Sequence, residues 1–141
     1  MAEPKQLLKI EAFHYKLPSV SDDDFKKYVD EELTPKWLAV VKRHGVVRYT
    51  STFTPSTFAK QFGPTLEKVR PGWTMKEAHM TLTYYVEKFE DMLELVGDPE
   101  YQSRGRDIEI GWIDASQGQL KLGWETTYIE NGQVVNTTVL E

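Results

Sequence analysis

The sequence contains no cysteine. Disulfides, thiolate nucleophiles, zinc fingers and iron–sulfur ligation are therefore excluded. Histidine is scarce: His14, His44 and His79 stand on separate predicted elements without the tight spacing of a ligand motif, so no metal site is expected. Basic residues are outnumbered, 17 Lys and Arg against 22 Asp and Glu, for a net charge of -5. That balance argues against a nucleic-acid partner. No run approaches the ~18 apolar residues a membrane-spanning helix needs, so no membrane partner is expected. The opening MAEPKQLLKIEAF lacks a basic region followed by a long apolar run. The expectation is therefore no signal peptide and a cytoplasmic location.

What remains is a chain of 141 residues, 40% hydrophobic and 28% charged, enough for one core-forming domain over 1–141. Its unusual component is the aromatic share: six Phe, seven Tyr and four Trp make 12% of the chain. That exceeds what packing of helices on a sheet ordinarily requires.

Residues 6–17 read as a strand in which Leu8, Ile10, Ala12 and His14 share one face and Lys9, Glu11, Phe13 and Tyr15 the other. Pro18 ends it. Ser21 followed by Asp22, Asp23 and Asp24 reads as an N-cap with acids at the positive helix end. Phe25, Val29 and Leu33 follow at helical spacing. Pro35 interrupts, and Thr34 is expected to cap a second helical segment through Trp37, Val40 and Val41. His44-Gly45 reads as its C-terminus. VVRYTSTFT (46–54) is β-branched and aromatic, hence a second strand. Residues 55–76 hold Pro55, Gly63, Pro64, Pro71 and Gly72, and read as a connecting insert with one short helix or two. A third strand spans 78–88. A short helix from Glu90 precedes another that starts at DPEY (98–101) and is expected to reach Trp112 or Ile113. GQLKLGWETTYIENG (118–132) reads as a strand ending in the Asn131-Gly132 turn, and the tail VVNTTVL either pairs back or extends to a partner.

The order β-α-β-(insert)-β-α-β is the split βαβ, ferredoxin-like α+β arrangement: an antiparallel sheet with two helices covering one face. The other face would lie open to water. A partner sheet covers it most simply, so a symmetric homodimer is expected.

These segments resemble the EthD-like branch of the dimeric α+β barrel proteins. The resemblance is carried by SDDDFKKYVDEELTP, in which Phe25, Tyr28, Glu31 and Pro35 fit the family's first helix, and by HGVVRYT, in which Arg48-Tyr49 fit its second strand. The strand at 78–88 and the helix containing DPEY are also similar. One position departs: Leu33 stands where the family often has His, so chemistry that relies on that His does not carry over. The resemblance implies a homodimer with facing sheets and a pocket in each subunit between sheet and helices. Related proteins include cyclases, decarboxylases, dehydratases, isomerases and monooxygenases. Several act on aromatic polyketides with neither metal nor organic cofactor, so no cofactor is expected.

His14 is the leading candidate for chemistry, because a His in an apolar row must find a partner or serve as a general acid or base. His79, on the polar stripe with Thr81, Thr83 and Tyr85, is a second candidate, set against a sheet-edge or interface role. Tyr49 and Tyr85 offer hydroxyls for a substrate oxygen, and Arg48 a grip on a carboxylate. Tyr28, Trp37, Trp112, Trp124, Phe58, Phe62 and Trp73 are expected to gather around a flat, apolar substrate, the last three from a lid, or else to fill the core. The expected activity is cofactor-independent acid/base chemistry on an aromatic or polyketide-like small molecule: decarboxylation, dehydration or cyclisation. The alternatives are a non-catalytic binder of an apolar aromatic ligand and a cofactor-free monooxygenase.

Overall fold

A computed structural model describes residues 6–140; residues 1–5 and Glu141 of the expected 1–141 unit lie outside them. Its centre is the first strand, β1 (Gln6–His14), flanked on both sides by antiparallel neighbours. With β2 (Arg48–Phe53), β3 (Met80–Val86) and β4 (Gln119–Thr126) it forms a sheet of order β2-β3-β1-β4. This is the ferredoxin-like α+β sheet the element order implies. The register pairs Leu8 with Val86, Ile10 with Tyr84 and Ala12 with Leu82, so these apolar residues share one face.

That face is covered by helices. Ser21 caps α1 (Asp22–Tyr28), its Oγ accepting a hydrogen bond from the Asp24 N–H at 3.1 Å. The helix does not restart at Thr34. It runs on through a π turn, Val29–Leu33, into α2 (Thr34–Val41). Thr34 has helical angles, and its N–H reaches back to the Val29 carbonyl. The reason is Pro35: its ring crowds the preceding turn and it has no N–H to donate, and one extra residue in the turn accommodates both. Phe25, Tyr28, Val29, Leu33, Trp37, Val40 and Val41 are all buried against the sheet or its flanking helices. Burial of such a set is worth roughly 1.5–3 kcal/mol per large side chain before entropy is subtracted.

The insert contains one helix, α3 (Phe58–Val69), which continues through Pro64. None of its residues is buried, and Phe58, Phe62 and Val69 stand exposed. After β3 come α4 (Phe89–Gly97) and α5 (Pro99–Glu109), the latter capped by the Asp98 side chain. α5 is shorter than expected: it stops at Glu109, and Gly111 takes φ 85° to turn the chain into Trp112 and Ile113. β4 likewise ends at Thr126. The Asn131-Gly132 turn instead joins a separate small hairpin, β5 (Ile129–Glu130) and β6 (Gln133–Val134), with both turn residues at positive φ.

Two faces of the sheet differ from the simple picture. The face away from the helices is not an apolar surface awaiting cover. Tyr85 and Thr83 are buried there, with Lys9 and Arg48 over the Tyr85 ring and Lys9 paired with Glu125 at 3.2 Å. The apolar surplus lies instead on β4. Leu120, Leu122 and Trp124 pair with Ala12, Ile10 and Leu8 and so point to the helix side, yet they are 59%, 42% and 56% exposed. Among the described residues the helices stop short of this edge.

Candidate active site

A cavity of about 210 Å³ opens between the sheet and α5. Its floor is Ala12 and His14 from β1 with Leu82 and Tyr84 from β3. Leu33 and Trp37, one helical turn apart across the π turn, form a wall. The roof is α5, whose residues Tyr101, Gly105, Ile108 and Glu109 recur at three- and four-residue spacing and so share a face. Tyr28 fixes the end of this roof: its hydroxyl donates to the Ile108 carbonyl at 2.7 Å, and its ring stacks on Trp112 with centroids 4.5 Å apart.

The first polar feature of the cavity is a facing acid and base. His14 Nδ1 lies 3.8 Å from Glu109 Oε1, both side chains being largely buried. Burial disfavours whichever form is charged. It pushes the His14 imidazole down to about 4, and raises the Glu109 carboxyl above its ordinary value. Both shifts favour the neutral form: an imidazole with a free lone pair faces a carboxyl that holds its proton more tightly than usual.

The second is a cluster of phenols. Trp37 Nε1–H donates to the Tyr84 hydroxyl at 2.7 Å, so the Tyr84 oxygen accepts there and its own proton remains to be donated, towards Tyr49 or into the cavity. The Tyr49 ring packs on Tyr84 at 5.0 Å, and Tyr101 packs on Trp37 at 5.0 Å. Burial raises all three phenols above their ordinary value, so they remain hydrogen-bond donors at neutral pH. The Tyr49 hydroxyl is buried with no partner of good geometry among the described residues. Such a group costs stability unless something else occupies its bond.

Of the residues singled out from sequence, His14 and Trp37 line this cavity, and Tyr49 packs behind Tyr84 of its floor. The others lie elsewhere. Arg48 and Tyr85 occupy the opposite sheet face, because strand parity puts them with Lys9 and Thr83. Tyr28 and Trp112 anchor α5 from outside and border a separate hollow with Asp24, Lys27, Glu31 and Glu32. Trp124 stands on the uncovered β4 edge. Phe58, Phe62 and Trp73 are exposed and line none of the cavities described. His79 borders a different hollow at the end of the sheet, where its Nδ1 accepts the Lys16 backbone N–H at 3.2 Å. Sequence reasoning missed Glu109, Tyr84 and Tyr101. The signal for Tyr101 and Glu109 was the helical spacing of 101, 105, 108 and 109. Tyr84 was marked by its parity with Leu82 and Val86.

Among the described residues no group of three or more His, Asp or Glu is placed to hold a metal ion, and no helix is long and apolar enough to cross a membrane. What the cavity brings together is an imidazole and a carboxyl 3.8 Å apart, beside phenol hydroxyls.

Comparison with known proteins places these features among relatives. The profile of the EthD domain matches residues 17–116. The chain is 29% identical over 136 residues to a protein of Pestalotiopsis fici named dehydratase iacD, covering 96% of this chain and 97% of the relative. It is 23% identical to a putative oxygenase of Aspergillus terreus, over 95% of this chain and 83% of that protein. In three dimensions it resembles an ethyl tert-butyl ether D (EthD) family protein of Bacillus halodurans, with a TM-score of 0.50 at 15% identity, covering 85% of this chain and 99% of that one. At that identity the structural likeness bears on the fold alone.

Proposed function

We propose that this chain, which belongs to the EthD domain family, is a lyase that removes water from a small aromatic or polyketide-like molecule by acid/base catalysis without a cofactor. The observation that carries the reading is the buried His14–Glu109 pair, 3.8 Å apart in a ring-lined cavity. In a β-hydroxy carbonyl substrate, His14 takes the proton next to the carbonyl. The carbon–carbon double bond forms as the β-hydroxyl leaves, protonated by Glu109, as water. The imidazolium then returns its proton to the Glu109 carboxylate, and both groups are restored. Tyr84, whose oxygen already accepts from Trp37, donates to the carbonyl oxygen as negative charge builds there, the role sequence reasoning gave to Tyr49 or Tyr85.

The size of the cavity bears on the substrate. About 210 Å³ exceeds the roughly 150 Å³ cavity known to admit benzene and falls below the ~300 Å³ at which pockets for larger ligands begin. One ring or two fused rings fit. Dehydration is preferred to decarboxylation or cyclisation because the Pestalotiopsis fici relative bears the name dehydratase. Cofactor-free oxygenation is the second reading, favoured by the name of the Aspergillus terreus relative. A homodimer belongs to the proposal too: the family resemblance implies one, and the exposed Leu120, Leu122 and Trp124 stripe supplies apolar surface for it.

The test is turnover on a panel of aromatic β-hydroxy ketones, read by mass for loss of one water and by an oxygen electrode. His14→Gln and Glu109→Gln should each lower kcat by roughly 10²–10⁴-fold, the usual worth of a general acid or base. Folded variants with undiminished kcat refute the assignment. Oxygen uptake in step with product selects the second reading.

A further inference from the structure

A second hollow, of about 370 Å³, lies at the end of the sheet where β1 and β2 run out and β3 begins. It is built from strand ends and the start of α3, and shares no residue with the cavity under α5. Its lining carries two ammonium groups, Lys16 and Lys76, against one carboxylate, Glu77.

Lys16 is the informative residue. Its side chain is only 11% exposed, and its nearest counter-charge is Asp22 at 3.9 Å, too far for a hydrogen bond. Asp22 is meanwhile held by Ser56, accepting from its backbone N–H at 2.7 Å and its hydroxyl at 2.8 Å. The Lys16 side chain is thus sheltered while its ammonium has no short hydrogen bond among the described residues, and an acceptor reaching it through the hollow supplies one. His79 adds a second donor. Because its Nδ1 accepts the Lys16 N–H, the proton of the neutral ring sits on Nε2. Lys76 adds a third, donating to Gln119 at 2.6 Å with its ammonium 4.3 Å from the Phe13 ring centroid. The rest of the wall is apolar, chiefly Pro18, Pro55, Ala59 and Met75.

We propose that this hollow binds a small organic anion, a carboxylate on an apolar ring, with the carboxylate at Lys16, Lys76 and the His79 Nε2–H and the ring against Met75 and the prolines. It is a site separate from the proposed dehydration centre and does not depend on that reading. The shared feature with ordinary surface lysines is charge. The difference is that here the charges stand on a concave wall with an apolar half, and the Lys16 side chain is sheltered within it.

The experiment is histidine-selective NMR on the intact chain titrated with benzoate, benzamide and acetate. Benzoate is expected to shift the His79 ring signals saturably while leaving His14 in place. Benzamide, which keeps the ring and loses the charge, should bind about tenfold or more weakly, the worth of one hydrogen bond to a charged group, and acetate, which keeps the charge and loses the ring, should weaken by about tenfold or more for the lost apolar burial. Lys16→Met should weaken benzoate by a similar factor. Equal binding of benzoate and benzamide overturns the role of the lysines, and equal binding of acetate overturns the apolar half. Shifts confined to His14, or no shift at His79, overturn the site. Should Lys16→Met fail to fold, the three probes on the unaltered chain still decide.

Discussion

Acid should destabilise this protein through His14, and the amount follows from its burial. Only 18% of the side chain is exposed, and burial takes the imidazole from an ordinary 6.5 to about 4. In the unfolded chain His14 takes up a proton near pH 6.5, whereas in the folded chain it resists until about pH 4. Between those values the unfolded state holds more protons, so folding stability falls as pH falls. The stability is fully present above about pH 6.5, is lost on the way to pH 4, and changes no further below. At about 1.4 kcal/mol per tenfold in proton affinity, the loss is about 3 kcal/mol. That is a large part of the roughly 5–15 kcal/mol a domain commands. Glu109 acts with the opposite sign. Its carboxyl is raised, so the folded state binds that proton first and gains stability as pH falls. Urea unfolding of the unaltered chain and of His14→Gln, from pH 7 to pH 4, separates the two, because the Glu109 contribution is common to both. The expected result is a difference between them that changes by about 3 kcal/mol across the range and persists in a Glu109→Gln background. Parallel pH curves, or an NMR midpoint for His14 near 6.5, refute the reasoning and with it the claim that His14 is a neutral base.

Two substitutions probe the cavity itself. Tyr49→Phe removes a buried hydroxyl that lacks a partner, so thermal unfolding should show unchanged stability or a gain of up to about 1 kcal/mol. A loss of that size instead would mean the hydroxyl is bonded in solution. Gly105→Ala places a methyl 3.7 Å from the Trp37 ring, an ordinary contact, on a helical residue of the roof. Stability should rise by about 0.5–1 kcal/mol, while KM for the bulkier substrates of the panel rises because the space beside Trp37 narrows. Unchanged KM would show that substrate does not lie there.

The register of success and failure in the sequence follows the range of the forces involved. Strand parity put His14 on the face of Leu8 and Ile10, and the structure places all three towards the helices. The Ser21 cap and the Asn131-Gly132 turn were equally legible, since each is decided within four residues. Thr34 misled because Pro35 has two remedies, a new helix start or a widened turn, and local sequence does not choose between them. The seven aromatic residues expected around one ligand were scattered for the same kind of reason. Composition counts rings, but a ring reaches a cavity only if its element packs beside it.

By itself, the sequence determined the chemistry available: no thiolate, few histidines, and one His held in an apolar row. It also determined the order of elements that closes into a ferredoxin-like sheet, because backbone periods of 2 and 3.6 residues are local properties. Only the tertiary structure decided that Glu109 faces His14 across 3.8 Å, that Tyr84 rather than Tyr85 lines the cavity, and that His79 belongs to another hollow. Those meetings join residues far apart in the chain. They depend on where α5 comes to rest over the sheet, which packing of the whole fold settles and no local pattern records.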